Sequence, residues 1–184
     1  MKKFILVAIL AVALAAGAFA DHPDNWGIGL MGRGGWGYGD GGFGGTSLTL
    51  KAPKLPIYWG INLDLWYRYF GIGVSGDYYL IDSNLADFDS AHLGWYLGLG
   101  AFAGFGSYGG AGWSYNWTRV TLGARLPIGL SFQLPLSSIK LEVFGAAVPN
   151  IGVGFYFGDY SYDNRSSIGL IGGIGGEGGF RIWF

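Results

Sequence analysis

A two-residue alternation of apolar with small or polar side chains runs through most of this chain and leaves few folds open to it. From Val120 the even positions read Val120, Leu122, Ala124, Leu126, Ile128, Leu130 and Phe132. The odd positions read Arg119, Thr121, Gly123, Arg125, Pro127, Gly129 and Ser131. Successive side chains of a β-strand point to opposite faces, so the two sets separate cleanly. One face suits an apolar medium; the other carries two arginines.

The pattern recurs. Ile57, Trp59, Ile61, Leu63 and Leu65 oppose Tyr58, Gly60, Asn62, Asp64 and Trp66. Ile72, Val74, Tyr78 and Leu80 oppose Gly73, Ser75, Asp77 and Tyr79. Leu93 to Phe105, Leu141 to Val153 and Ile168 to Phe184 alternate in the same way, and two weaker strands precede them near 25–33 and 46–53. Breaks fall at 34–45, Pro53 to Pro56, 68–70, 82–91, 107–116, Pro135 to Lys140 and 158–166. That gives about eight strands, each near the ten residues a tilted strand needs to cross a bilayer.

Two other folds compete. No charge occurs from Leu93 to Thr118, and Gly94-x-x-x-Gly98 and Gly100-x-x-x-Gly104 match a helix-pairing motif. Alternate glycines and dense aromatics make a poor helix, however. A soluble sandwich would present a charged outer face. Here charged residues are 12% of the chain, too few to solvate one, while apolar residues reach 51%. A sheet closed in lipid resolves both conflicts, because every backbone group is paired and the apolar face meets hydrocarbon.

The first twenty residues read as a cleaved signal peptide: Lys2 and Lys3, the apolar run Phe4 to Ala16, then Ala18-Phe19-Ala20 before Asp21. Residues 21–184 then form a single domain, with nine basic against twelve acidic residues. That mild acidity gives no support for nucleic-acid binding. With no cysteine, the exported chain must hold without disulfides. An even strand count places both termini on one side, expected to be the periplasm.

The last residues, Phe180-Arg181-Ile182-Trp183-Phe184, alternate and stop on phenylalanine. Together with the leader, the strand count and the alternation, this resembles the small outer-membrane barrels of the OmpX, OmpW and OmpA transmembrane-domain type. The resemblance covers nearly all of 25–184 and rests on no single diagnostic motif. It implies an antiparallel up-and-down transmembrane β-barrel, an outer-membrane location, and lipid as the surrounding partner. It also implies an assembly signal at Phe180, Ile182 and Phe184, read by the barrel-insertion machinery. Several breaks are shorter than the long loops of those families, which leaves little room for a loop-borne function.

The inward face carries the charges Asp64, Asp77, Arg119, Arg125, Glu142, Glu177 and Arg181. Unpaired charge inside a narrow barrel is costly, so these are expected to form a network. Arg125 beside Glu142 is the preferred pair, with Glu177 and Arg181 along one strand face. The rings Tyr58, Trp66, Tyr79, Tyr96, Phe102 and Phe144 face the same way, and small glycines opposite them would let the rings fill the lumen.

Little else points to chemistry. Gly27-Gly29-Gly32, Gly71-Gly73-Gly76 and Gly173-Gly175-Gly178 match G-x-G-x-x-G, but none precedes a helix. Asp89, Ser90 and His92 cluster in an expected periplasmic turn, where sequence neighbours seldom form a triad. Asp21-His22 is a weak copper motif on what reads as a frayed tail. The glycine- and aromatic-rich 34–45 segment is a candidate extracellular loop for a glycan or protein contact. The expectation is therefore a barrel with no catalytic residues, metal or cofactor, a structural or surface-interaction role, and a largely filled lumen. A narrow pore or small hydrophobic ligand conduit of the OmpW type is the alternative.

Overall fold

A computed structural model of the chain describes residues 22–38, 43–66, 69–109, 117–158 and 167–184. The leader expected over 1–20 lies outside them. The described residues form β1 (Gly27–Tyr38), β2 (Phe43–Lys51), β3 (Tyr58–Trp66), β4 (Tyr69–Phe88), β5 (Ala91–Tyr108), β6 (Trp117–Arg125), β7 (Ile128–Leu136), β8 (Ile139–Gly158) and β9 (Ser167–Trp183). The charge-free stretch from Leu93 is strand as far as Tyr108, and no helix forms among the described residues.

Chain neighbours pair antiparallel, and β1 pairs with both β2 and β9, so the sheet closes on itself. β6 and β7 act as one strand. Arg125 lies opposite Gly100 and Ile128 opposite Leu97, so the register against β5 does not slip. The interruption falls at Leu126 and Pro127, because proline has no N–H to give the ladder. Bonds from Gly98 N to Pro127 O (2.7 Å) and from Leu126 N to Pro149 O (2.9 Å) bridge the gap. The result is an eight-stranded, antiparallel, up-and-down barrel.

The register fixes its girth. Following paired residues round the ring runs Gly27, Lys51, Tyr58, Asp77, Gly100, Arg125, Asn150, Gly173 and back to β1 at Gly37, a stagger of ten residues. With ~3.3 Å per residue along a strand and ~4.7 Å between strands, the strands tilt by roughly 40°. Such a barrel has room for side chains and little more.

The two faces are inverted relative to a soluble protein. Leu30 (53% exposed), Leu130 (53%) and Ile151 (58%) stand outward, while Asn62 (4%), Gln133 (0%) and Glu142 (0%) are buried inside. A largely apolar exterior over a closed ladder is what hydrocarbon requires.

Three expected breaks are corrected, and that at Pro135 to Lys140 narrows to Ser137 and Ser138 between β7 and β8. The break at 34–45 is mostly strand, since β1 runs on to Tyr38 and β2 starts at Phe43. The break at 82–91 is also mostly strand, with β4 reaching Phe88. Register shifts between Tyr79 and Ile81 and between Asn84 and Ala86 mark β-bulges there. An extra residue reverses the alternation beyond it. Asp82 therefore turns inward and is buried, although its even number matches the outward Ile72 and Val74.

Candidate functional site

The lumen divides into two halves: one at the barrel end that carries the chain termini, the other at the opposite, distal end. The terminal half is packed. Tyr58, Tyr79 and Tyr96, from adjacent strands β3, β4 and β5, stack with centroids 3.9 and 4.4 Å apart. Below the stack sits His22, which precedes β1 and is only 6% exposed. Its Nδ1 lies 2.6 Å from Asp82 Oδ1 and its Nε2 2.9 Å from Glu142 Oε1. Its backbone N–H donates to Asp82 Oδ2 (3.2 Å). Its ring meets Tyr58, Tyr79 and Tyr96 edge-on, at 5.5, 5.5 and 5.8 Å. The frayed tail expected from the sequence is instead a plug.

Glu142 is the hub of this half. Besides His22, its carboxylate accepts from Arg181 Nη1 (2.7 Å) and Trp183 Nε1 (2.8 Å). Arg181 also donates to Thr49 Oγ1 (3.1 Å) and lies over the Phe144 ring at 4.6 Å. Each charge has an opposite charge and hydrogen bonds, the condition under which a buried ion pair is tolerated.

The pairing differs from the one expected. Arg125 does not meet Glu142: Glu142 faces Gln133 across the β7–β8 ladder, and Arg125 faces Asn150. Eight residues of strand, ~26 Å at ~3.3 Å each, separate the two levels. Arg125 instead reaches Glu177 (2.5 Å), with its Nε 3.0 Å from Asp77 Oδ1. Glu177 and Arg181 share a face of β9, but each is partnered across strands rather than to the other.

The distal half is less completely filled among the described residues. A cavity of about 110 Å³ lies there, lined by Arg33, Asp64, Phe102, Arg119, Arg125 and Glu177, among others. Arg33 Nη2 donates to Asp64 (2.5 Å). Arg119 donates to the Tyr69 hydroxyl (2.9 Å) and lies 5.7 Å from the Trp117 ring centroid. Tyr108 stacks on Trp117 at 5.8 Å, and Tyr156 meets Trp117 edge-on at 6.4 Å. A second space of about 20 Å³ lies deeper, between Tyr79, Tyr96, Glu177 and Arg181. That is room for roughly one water.

All seven charges read from the alternation thus point into the lumen: Glu142 with Arg181, Arg125 with Asp77 and Glu177, Asp64 with Arg33, and Arg119 with Tyr69. Sequence reasoning missed Arg33, His22 and Asp82. Arg33 shares the odd phase of Gly27, Gly29 and Met31, and extending β1 past it would have found it. The Trp66 side chain lies outside the described residues. Phe180 (42% exposed) and Phe184 (60%) face outward, while Trp183 turns in at 1%. His92 Nδ1 lies 2.5 Å from Asp87 Oδ1 at the terminal end, with Asp89 and Ser90 in the connecting turn.

His22 carries a pH signature. Burial opposes its charge, but the carboxylates of Glu142 and Asp82 outweigh that and raise its pKa to about 9. The folded value exceeds the unfolded one, about 6.5. The resulting stability is therefore full below pH ~6.5, shrinks as pH rises, and is gone beyond ~9. Urea unfolding of the lipid-embedded barrel is expected to show a lower midpoint at pH 10 than at pH 6. His22→Gln should flatten that difference; an unchanged pH dependence would mean that His22 is not the group responsible.

No family model and no curated protein matches the chain. Among solved structures it is similar to a major outer membrane protein from Thermus thermophilus, with 12% sequence identity and a TM-score of 0.45. The match covers 85% of this chain and 98% of that one.

Proposed function

We propose that the chain is an outer-membrane barrel with both termini in the periplasm and a lumen that does not conduct. Its role is structural or surface-interactive. The observation that carries this reading is the packed terminal half. Among the described residues, the space beside the tyrosine stack and Arg181 has room for about one water. Opening a path would require separating Glu142 from both of its cationic partners in a site of low dielectric.

Lipid is the expected partner of the apolar exterior, and the distal rim is the surface offered to a glycan or protein. Residues 39–42 of the proposed contact segment lie outside the described ones. The test is reconstitution in lipid vesicles, with folding confirmed by heat-sensitive gel migration. Ion and small-solute flux is expected to match protein-free vesicles. Steady conductance that changes when Arg125 or Glu142 is neutralised would establish the narrow pore instead.

The terminal strand supports a second expectation. Phe180, Ile182 and Phe184 form an outward apolar row, and Phe184 N bonds to Trp26 O (3.0 Å), close to the seam where β9 meets β1. Replacing Phe184 by serine should slow assisted insertion severalfold while leaving the stability of barrel folded in detergent nearly unchanged. Unchanged insertion would remove the assembly role.

A further inference from the structure

We infer that the terminal half of the lumen is a preformed binding cradle for an imidazolium-type cation, a flat monocation with N–H donors on opposite edges. His22 fills it as a tethered ligand. Binding there does not depend on whether the lumen conducts.

The occupant's charge follows from its partners. Nδ1 lies 2.6 Å from Asp82 Oδ1 and Nε2 lies 2.9 Å from Glu142 Oε1. An ionised carboxylate only accepts, so both ring nitrogens must donate, and an imidazole with two N–H groups is a cation. The neighbouring cations are engaged elsewhere. Arg181 donates to Glu142 Oε2 (2.7 Å), Lys140 to Gln133 Oε1 (3.0 Å) and Lys51 to Asp24 Oδ1 (3.3 Å). Asp82 takes its hydrogen bonds from His22, through the backbone N–H and the ring.

The cradle belongs to the strands rather than to the tail. A bulge between Tyr79 and Ile81 turns Asp82 inward, and bulges commonly serve to re-aim a side chain. Two inward glycines make room for the rings. A Cβ on Gly129 would stand 2.4 Å from Tyr96 Cζ, and one on Gly98 would stand 3.1 Å from Tyr79 Cδ1. Tyr58, Tyr79, Tyr96 and Trp183 surround the imidazole with centroids 5.5, 5.5, 5.8 and 6.0 Å away. Aromatic π-systems at such distances attract a cation.

His22 itself lies outside every strand. Four residues, Pro23 to Trp26, join it to β1, and Asp24 fixes that link by accepting from the Lys54 N–H (2.8 Å). The occupant can therefore leave without breaking a strand pairing. It leaves behind two carboxylate oxygens placed to receive two N–H donors. A short tether holds the imidazolium at high effective concentration, so a free ligand enters once the tethered one is removed.

Two measurements test the cradle. In the first, 15N NMR of the chain folded in detergent micelles at pH 7 should show both ring nitrogens of His22 protonated. His92→Gln removes the signals of the other histidine. A ring with one bare nitrogen would overturn the cradle. In the second, His22→Gly empties the site, and its urea midpoint at pH 6 is followed with added imidazole, 1-methylimidazole or 1,3-dimethylimidazolium. Imidazole should raise the midpoint saturably. Loss of one charge-assisted bond should weaken 1-methylimidazole about tenfold, and the donor-free dimethyl cation should have no effect. Adding Asp82→Asn should weaken imidazole by a similar factor. The unsubstituted chain, its site already filled, should not respond. No saturable effect, equal effects of all three probes, or the same response from the unsubstituted chain would each overturn the cradle. If His22→Gly does not refold alone, recovery of the heat-sensitive band by imidazole replaces the midpoint, and recovery by no probe is the overturning result. Vesicle flux is read separately. Leaky vesicles alongside rescue by imidazole overturn the silent lumen alone, and silent vesicles without rescue overturn the cradle alone.

Discussion

Replacing Glu142 by alanine should lower the unfolding free energy by about 3–5 kcal/mol, the usual cost of stripping one partner from a buried ion pair. The size follows from what remains. Arg181 would keep its charge at 2% exposure, His22 would lose one of its two carboxylates, and Trp183 Nε1 would lose its acceptor. Asp82 still faces His22, so the heavier loss falls on Arg181, left with Thr49 and the Tyr58, Phe144 and Trp183 rings. Urea titration in lipid vesicles, followed by tryptophan fluorescence, measures the shift. A double replacement, Glu142→Ala with Arg181→Met, should recover most of the loss, because the orphaned charge is then removed as well. A loss below about 1 kcal/mol in the single variant would mean that water reaches the cluster. The plug would then not be sealed, and the case for a silent lumen would weaken with it.

The alternation reveals which face a residue takes wherever the ladder is regular, and it fails where the ladder is not. Asp82 shows the first kind of failure. One extra residue near Leu80 reverses the phase, and a bulge leaves no mark in a run of ordinary strand residues. Arg33 shows the second. Around it the outward positions Gly32, Gly34 and Gly44 carry no apolar side chain, so the facing ends of two strands read as a loop. The ion pairs show the third. Adjacent strands were evident, but the ten-residue stagger comes from cross-strand registers, and it carries Arg125 to Glu177 rather than to Glu142. His22 belongs to no periodic segment at all. Its place in the lumen depends on Asp82 and Glu142, sixty and one hundred and twenty residues away.

A valine at Gly129 should prevent formation of the heat-resistant barrel or cost at least ~3 kcal/mol, the upper end of ordinary overpacking. The inward Cβ at this position would stand 2.4 Å from Tyr96 Cζ, 2.5 Å from its hydroxyl and 2.6 Å from Gly145 O. The carbonyl belongs to the β7–β8 ladder and cannot retreat without breaking it. Nor is the ring free to move: Tyr96 is 2% exposed, stacked on Tyr79 and packed against the edge of His22. Displacing it disturbs the tyrosine stack and the plug together. Gly145 is the matched control, on the paired strand but facing outward, where a Cβ would meet nothing closer than Glu177 O at 3.8 Å. Gly145→Val should be neutral or stabilising by a few tenths of a kcal/mol, since a β-branched residue suits an open strand position. Gel migration and urea midpoints of the two variants decide the matter. If Gly129→Val folds normally while Gly145→Val does not, the lumen and lipid faces have been assigned the wrong way round.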